Sequence, residues 1–198
     1  MGERRTNTRE QIRTVALEMF AERGYAGTSL REIAERLGVT KAAVYYHFPT
    51  KEDILASLLQ DFLVQLDELI AWTATQPRSA ETRRTALERY AKLLAGRKTD
   101  LARFMQEGQS AIRELAAGLE VRKHVEQFLA LLAAPDESPE GRLRAQVALA
   151  SLHLAAFGPL GSTPFDVESA PEQRTARRAA GLRIAGEVLA GVGTGAAR

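Results

Sequence analysis

Residues 28–51 read TSLREIAERLGVTKAAVYYHFPTK, and they carry the clearest structural signal in the chain. The first half places apolar residues at helical spacing after Ser29, and Glu32 stands where it closes a capping box. Gly38 is well placed to end this helix because glycine tolerates positive φ. Thr40 then begins a second short helix, which Pro49 stops. Two short helices joined by a tight glycine-containing turn predict a helix-turn-helix.

The second of these helices has an outer face whose side chains indicate contact with another molecule. At about 100° per residue, Val44 and Phe48 share the inner face. The outer side chains are then Lys41, Ala42, Ala43, Tyr45, Tyr46 and His47. Small residues let a helix enter the DNA major groove, and tyrosine and histidine can donate to phosphates. The alternative, that both tyrosines pack on neighbouring helices, is disfavoured because Val44 and Phe48 already fill the inner face.

Outward from this stretch, no segment alternates as a strand would, so the chain is predicted to be all-α. A helix at 7–23 precedes it, Thr28 or Ser29 caps the next, and a long helix runs from Thr50 to about Gln76. Further helices are expected at 79–96, 99–116, 119–133, 142–157 and 171–190, with a loop at 134–141. We divide the chain into a three-helix DNA-binding domain at 1–52 and a second helical domain at 53–198.

Composition narrows the class of protein. The chain has 198 residues, a net charge of +2 and no cysteine, which excludes disulfides, zinc–thiolate sites and thiol nucleophiles. No apolar run reaches the ~20 residues that span a bilayer, and the charged start is not a secretory signal. We therefore expect a cytoplasmic protein without a membrane segment. The arginines at 4, 5, 9 and 13 suit either a DNA-contacting arm or, more simply, a solvated tail.

Catalytic and metal-binding patterns are not found in the sequence. There is no glycine-rich phosphate loop, metal-binding helix motif or nucleophile elbow, and the three histidines are scattered. No histidine stands at metal-ligand spacing from another histidine or from a carboxylate three residues away. We expect neither an enzyme nor a metal or cofactor site.

Residues 8–52 resemble the DNA-binding domain of the tetracycline-repressor (TetR) family. The resemblance is carried by FAERGYAGTSLREIAERLGVTKAAVYYHFPTKEDIL, and above all by its glycine–valine–threonine turn, its YYHF segment and the following lysine and acidic pair. It covers the first quarter of the chain. Beyond that quarter, only helical character and length agree with the family.

The resemblance implies roles for individual residues. Thr40, Lys41, Ala42 and Ala43 would touch bases, whereas Tyr45, His47 and Lys51 would touch phosphates. Arg31 matches a position that reads a base or a phosphate, and Thr28 would cap the second helix and bind a phosphate nearby. With Tyr46 on the outer face, the predicted DNA-binding residues are Thr28, Arg31, Thr40, Lys41, Ala42, Ala43, Tyr45, Tyr46, His47 and Lys51.

The remaining three quarters would, by the same resemblance, form a helical domain that dimerises and holds a small effector. The last two long helices suit a dimer bundle because 142–157 is apolar and 171–190 offers small residues. Candidate effector contacts are Phe62, Leu66, Trp72, Tyr90, Phe104, Met105, Phe128, His153 and Phe157. An intramolecular core is the alternative reading of both sets. For His153, a satisfied core histidine and a pocket donor remain equally open.

These observations predict a homodimeric repressor that an unknown small-molecule effector releases from a palindromic double-stranded DNA operator. The alternatives are a DNA-binding regulator controlled by a protein partner or without a small ligand, and a transcriptional activator. A helical enzyme with a fortuitous helix-turn-helix is a further rival, which buried and mutually bonded titratable groups in a cleft would favour.

Overall fold

The computed structural model describes residues 2–95, 115–133, 138–158 and 171–190, with the backbone alone for 2–6 and 171. Regular structure in these ranges is entirely helical, which confirms the predicted all-α class. The helices are α1 (Gly2–Arg23), α2 (Leu30–Leu37), α3 (Lys41–His47), α4 (Lys51–Thr75), α5 (Ala80–Ala95), α6 (Ala116–Leu132), α7 (Pro139–Phe157) and α8 (Pro171–Ala190). No helix within these ranges combines the length and the apolar character that crossing a bilayer requires.

The described residues form two compact units. The first contains residues 2–61 and 115–121, and the second contains 62–95, 122–133, 138–158 and 171–190. The division falls inside α4, after Asp61, and inside α6, after Val121. The domain boundary at residue 52 stays a prediction.

Apolar residues at helical spacing build the core of the first unit. Ile12 and Phe20 of α1, Ile33 of α2, Val44 of α3 and Ile54 of α4 are all at most 1% exposed. Burying side chains of this size contributes roughly 1.5–3 kcal/mol each, so the four helices hold one another in place. The predicted inner faces of α2 and α3 are therefore confirmed.

The start of the chain differs from the prediction. The expected start of the first helix at residue 7 is wrong, because α1 already begins at Gly2. Two of the arginines assigned to an arm or tail pack onto their own unit. Arg13 donates to the carbonyl of Ser57 at 3.0 Å, and the Arg9 guanidinium lies 4.9 Å from the centre of the Phe48 ring.

Two later helix boundaries also differ. The predicted loop at 134–141 is wrong at its end, because α7 begins at Pro139. Ser138 caps this helix, its hydroxyl accepting from the Gly141 N–H at 3.2 Å, and proline suits the first helical position because it lacks an N–H. The helix α6 begins at Ala116, before the expected residue 119. Residues 99–114 of the predicted 99–116 helix lie outside the described residues.

In the second unit, α7 and α8 pack closely on each other and α5 lies against both. The two helices approach closely at Gly181, where an added Cβ would lie 2.3 Å from the Ala155 Cβ and 3.1 Å from the Ser151 carbonyl oxygen. The Ser151 hydroxyl donates to the Ala148 carbonyl of its own helix at 2.7 Å and lies 3.4 Å from the Gly181 carbonyl. Small residues in 171–190 therefore allow α8 to pack closely on α7 within one chain.

Candidate functional site

Capping residues define the ends of α2 and α3 on either side of the turn that joins them. Ser29 and Glu32 form a reciprocal capping box at the start of α2, with the Ser29 N–H donating to Glu32 Oε2 at 2.9 Å. Gly38 ends α2 at φ +71°, where a residue with a Cβ is strained. The Thr40 hydroxyl then accepts from the Ala43 N–H at 3.2 Å and starts α3. The predicted helix-turn-helix is present.

The helix α3 presents the face that its periodicity predicts. Val44 and Phe48 are 0% and 1% exposed, whereas Tyr45 and Tyr46 are 43% and 66% exposed. Tyrosine rings bury 150–250 Å² when packed, so leaving two of them open on one short helix suits a contact surface. Within the first unit, both tyrosine side chains thus keep a large exposed area on the outer face of α3.

Cationic and small side chains complete this face. The Lys41 ammonium lies 5.2 Å from the centre of the Tyr45 ring, and the rings of Tyr46 and His47 meet edge to face at 5.2 Å. Thr40, Lys41 and Ala42 are exposed, and Ala43 and His47 are half-buried. The surface therefore offers two phenol hydroxyls, an ammonium and an imidazole beside two methyl groups. Such a set can donate to phosphates and base edges and can touch a thymine methyl.

The predicted base or phosphate contact on α2 is also exposed. Arg31 Nε donates to Glu35 Oε1 at 2.8 Å, one turn along the same helix. This hydrogen bond raises the pKa of Arg31. The pair lies in solvent, and exposed pairs of this kind contribute little to stability. Arg31 is thus accessible, with Glu35 competing for its guanidinium.

Thr28 is placed differently from the prediction. It does not cap α2, since Ser29 does. The Thr28 side chain is 2% exposed, and its hydroxyl donates to the carbonyls of Gly24 at 3.0 Å and Met19 at 3.3 Å. The predicted phosphate contact of Thr28 stays a prediction, one that its burial disfavours.

Lys51, at the first position of α4, points back into the protein. Its ammonium donates to the carbonyls of Tyr25 at 2.5 Å and Thr28 at 2.8 Å, and it lies 4.2 Å from the centre of the Tyr25 ring. Burial lowers the pKa of Lys51, an effect that the nearby Glu32 carboxylate opposes. The phosphate contact assigned to Lys51 stays a prediction, while two of its three donors are already used inside the unit.

The sequence analysis overlooked Tyr25 and Gly27, which shape the connector that receives Lys51. An added Cβ at Gly27 would lie 2.5 Å from the Arg23 carbonyl oxygen, so only glycine fits there. Tyr25 packs on Phe20 with ring centres 5.2 Å apart. The signal available in the sequence was a tyrosine placed between glycines 24 and 27, between two capped helices.

Four of the nine candidate effector residues pack on one another in the second unit. Tyr90 stacks on Phe128 with centres 5.1 Å apart, and its hydroxyl shares a 2.8 Å hydrogen bond with His153 Nε2. His153 in turn stacks on Phe157, with centres 6.1 Å apart. Tyr90 and Phe128 are fully buried, whereas His153 and Phe157 are half-buried, so this aromatic cluster runs from the core towards the surface of the unit.

The other effector candidates fall into three places. Phe62 and Leu66 are buried at 5% and 0% exposure. Trp72 is half-buried beneath the Arg89 guanidinium, 3.7 Å from its ring centre. Phe104 and Met105 lie outside the described residues. A groove of about 360 Å³ elsewhere in this unit is lined by α5 and α8, including Leu87 and Leu182, and by none of the predicted effector residues.

One face of α7 is apolar and open. The exposed apolar residues there are Leu143, Val147, Ala150 and Leu154, at successive spacings of four, three and four. This spacing lines up one side of a helix. Leu149 points instead into the core at 4% exposure.

Comparison with known proteins identifies the first unit. Residues 12–58 match the family described as bacterial regulatory proteins, tetR family, and this range contains α2, α3 and the start of α4. The chain carries a TetR-family DNA-binding domain. Within that TetR-family domain lie all ten residues predicted to bind DNA.

A named relative agrees with the TetR-family assignment. The transcriptional repressor KstR2 of Mycolicibacterium smegmatis is 38% identical over 72 residues, which is 35% of this chain and 35% of that protein. The chain thus matches about a third of the length of this curated relative.

Solved structures resemble a larger share of the chain. AmtR of Mycobacterium smegmatis has a TM-score of 0.65 at 25% identity, covering 90% of this chain and 86% of its own. FadR of Bacillus subtilis, solved in complex with stearoyl-CoA, has a TM-score of 0.58 at 21% identity, covering 89% and 96%. These TetR-like folds extend the likeness beyond the DNA-binding domain into the second unit.

Proposed function

We propose that the protein is a cytoplasmic, homodimeric transcriptional repressor that binds a near-palindromic DNA operator and is released by a small-molecule effector. The observation that carries this proposal is the outer face of α3. Tyr45 and Tyr46 are open there, while Val44 and Phe48 hold the helix on its own unit. With Lys41, Ala42 and Ala43, this face has the width and the donors that a major groove accepts.

The proposed dimer uses the open face of α7. Leu143, Val147 and Leu154 are 45–58% exposed, and Ile184 of α8 is 44% exposed. A contact around a two-fold axis would cover these side chains with their own copies. Two recognition helices would then enter successive major grooves, roughly 34–36 Å apart.

The proposed effector would act by favouring a dimer geometry with the wrong spacing. A ligand shifts such an equilibrium only through different affinities for the two geometries. Support comes from the half-buried His153 and Phe157 of the second unit and from the FadR structure, whose stearoyl-CoA complex makes acyl thioesters the first compounds to try. The closed packing of Tyr90 and Phe128 favours a second candidate, a regulator controlled by a protein partner.

The operator is tested by selecting duplexes from a random-sequence pool with the full-length chain. We expect a selected site with two half-sites one helical turn apart. Tyr45→Phe combined with Tyr46→Phe should weaken binding to that duplex by roughly 30-fold per half-site, because two hydroxyls each lose a hydrogen bond worth about 1 kcal/mol. A scrambled duplex of equal length is the control. If the double variant binds the selected duplex as tightly as wild type, the outer face of α3 does not contact the operator as proposed.

The effector is tested by thermal shift with acyl-CoA thioesters and lipophilic cations. A ligand that binds the folded chain raises its apparent stability by about 2.7 kcal/mol at a concentration one hundred times Kd. The same compound should lower operator affinity. A compound that stabilises the protein without changing operator affinity would argue against release by that ligand.

A further inference from the structure

Lys51 lies at a junction between α4 and the connector that joins α1 to α2. Its ammonium donates to two backbone carbonyls of that connector, those of Tyr25 and Thr28. The Tyr25 ring covers one side of the same ammonium at 4.2 Å. A lysine head group has three N–H donors, so two of them are used here and one side is screened by an aromatic face.

The connector that receives Lys51 is itself tightly built. It leaves α1 through Gly24 at φ +76° and passes Gly27, whose position admits no Cβ. The buried Thr28 hydroxyl donates to the carbonyls of Met19 and Gly24. The carbonyls of Tyr25 and Thr28 are the two in this connector that accept from the part-buried Lys51 ammonium. A cation makes stronger hydrogen bonds to such carbonyls than a neutral donor does.

The connector ends where the helix-turn-helix begins. Thr28 precedes Ser29, the residue that caps α2, and α2 packs on α3. The direction in which α2 and α3 leave the rest of the unit thus depends on where residues 25–28 are held. The Lys51 side chain, which comes from α4, holds residues 25–28 through its two hydrogen bonds.

We propose that Lys51 is a positioning residue for DNA binding, which orients the helix-turn-helix through the carbonyls of Tyr25 and Thr28 and does not itself contact phosphate. This inference rests on the proposed function and deepens it. A Lys51 that bound phosphate in this position would have only its third N–H donor to do so.

Lys51→Met is compared with Lys41→Met, which removes the same charge from the exposed start of α3. Operator affinity is measured on the selected duplex over a range of salt concentrations, at a temperature where both variants are fully folded. Lys51→Met should lower the melting temperature of the free protein and raise Kd several-fold, with the slope of log Kd against log salt as in wild type. Lys41→Met should leave the melting temperature unchanged and reduce that slope by about one per chain.

A second variant keeps the proposal testable if Lys51→Met does not fold. Tyr25→Leu removes the ring over the ammonium and loosens the connector. Positioning by Lys51 predicts a raised Kd with an unchanged salt slope, and less than additive effects when both substitutions are combined. A phosphate-binding Lys51 predicts equal or tighter binding, because the ammonium is freed.

Three outcomes would overturn the positioning role. They are a reduced salt slope for Lys51→Met, an unchanged Kd despite a lower melting temperature, and additive effects with Tyr25→Leu. Failure of the wild-type chain to bind any selected duplex would overturn the proposed function instead. In that event, hydrogen exchange of the Ser29 and Leu30 amides still tests the junction between Lys51 and the connector. If Lys51→Met leaves the exchange rates of these amides unchanged, Lys51 does not hold the connector.

Discussion

At the scale of single residues, the capping box of α2 couples local structure to protonation. The hydrogen bond from the Ser29 hydroxyl lowers the pKa of Glu32, with a second from the Ser29 N–H and a smaller effect of Arg23. A carboxyl group whose pKa is lowered in the folded state stabilises the fold above its unfolded pKa. That contribution is lost as pH falls through the lowered value.

Glu32→Gln should therefore reduce the melting temperature at neutral pH by more than it does in acid. The difference between wild type and the variant should shrink as pH falls below the ordinary value of 4.5 and continue to shrink through the lowered pKa of Glu32. Thermal melts across this range measure it. Glu126→Gln, which removes an exposed carboxyl of α6, serves as control for the loss of a surface charge. A pH-independent difference would mean that Glu32 acts through packing alone.

At the scale of elements, the crossing of α7 and α8 depends on one glycine. Gly181→Ala should destabilise the protein by roughly 1–3 kcal/mol, because its Cβ would overlap Ala155 at 2.3 Å. Gly186→Ala on the same helix is the matched control, since nothing lies within 4 Å of an added Cβ there. That change should be neutral or stabilising by up to about 1 kcal/mol through helix propensity. Denaturant unfolding compares them, and equal effects would contradict a close crossing at Gly181.

At the scale of the whole molecule, function depends on the proposed pairing of two chains. Val147→Glu would place a charge on the open face of α7, and Val64→Glu is its control because both valines are 45% exposed. We expect the first to give monomers in sedimentation velocity and the second to leave the dimer intact. Loss of the second half-site contact should weaken operator binding on the order of a hundredfold. A Val147→Glu chain that stays dimeric would move the interface elsewhere.

Much of the first unit could be predicted because its signals are local. Glycine at Gly38, the hydroxyl of Thr40 and the four-residue spacing of Val44 and Phe48 each act within a few residues of the chain. The contacts of Arg9 and Arg13 were missed because their partners, Phe48 and Ser57, are distant along the chain, and a local reading of charge does not reveal them. The start of α7 was wrong because a proline was taken as a loop signal although Ser138 caps it as a first helical residue.

What the sequence by itself determined is the helix-turn-helix and the outward face of α3, since caps and a period of 3.6 residues act over short distances. Only the tertiary structure decided the environments of Thr28 and Lys51, which bond to carbonyls of the α1–α2 connector. It also paired Tyr90 with His153, 63 residues apart along the chain. The physical reason is that a backbone carbonyl is the same at every position, so no residue type marks which one a buried donor will reach.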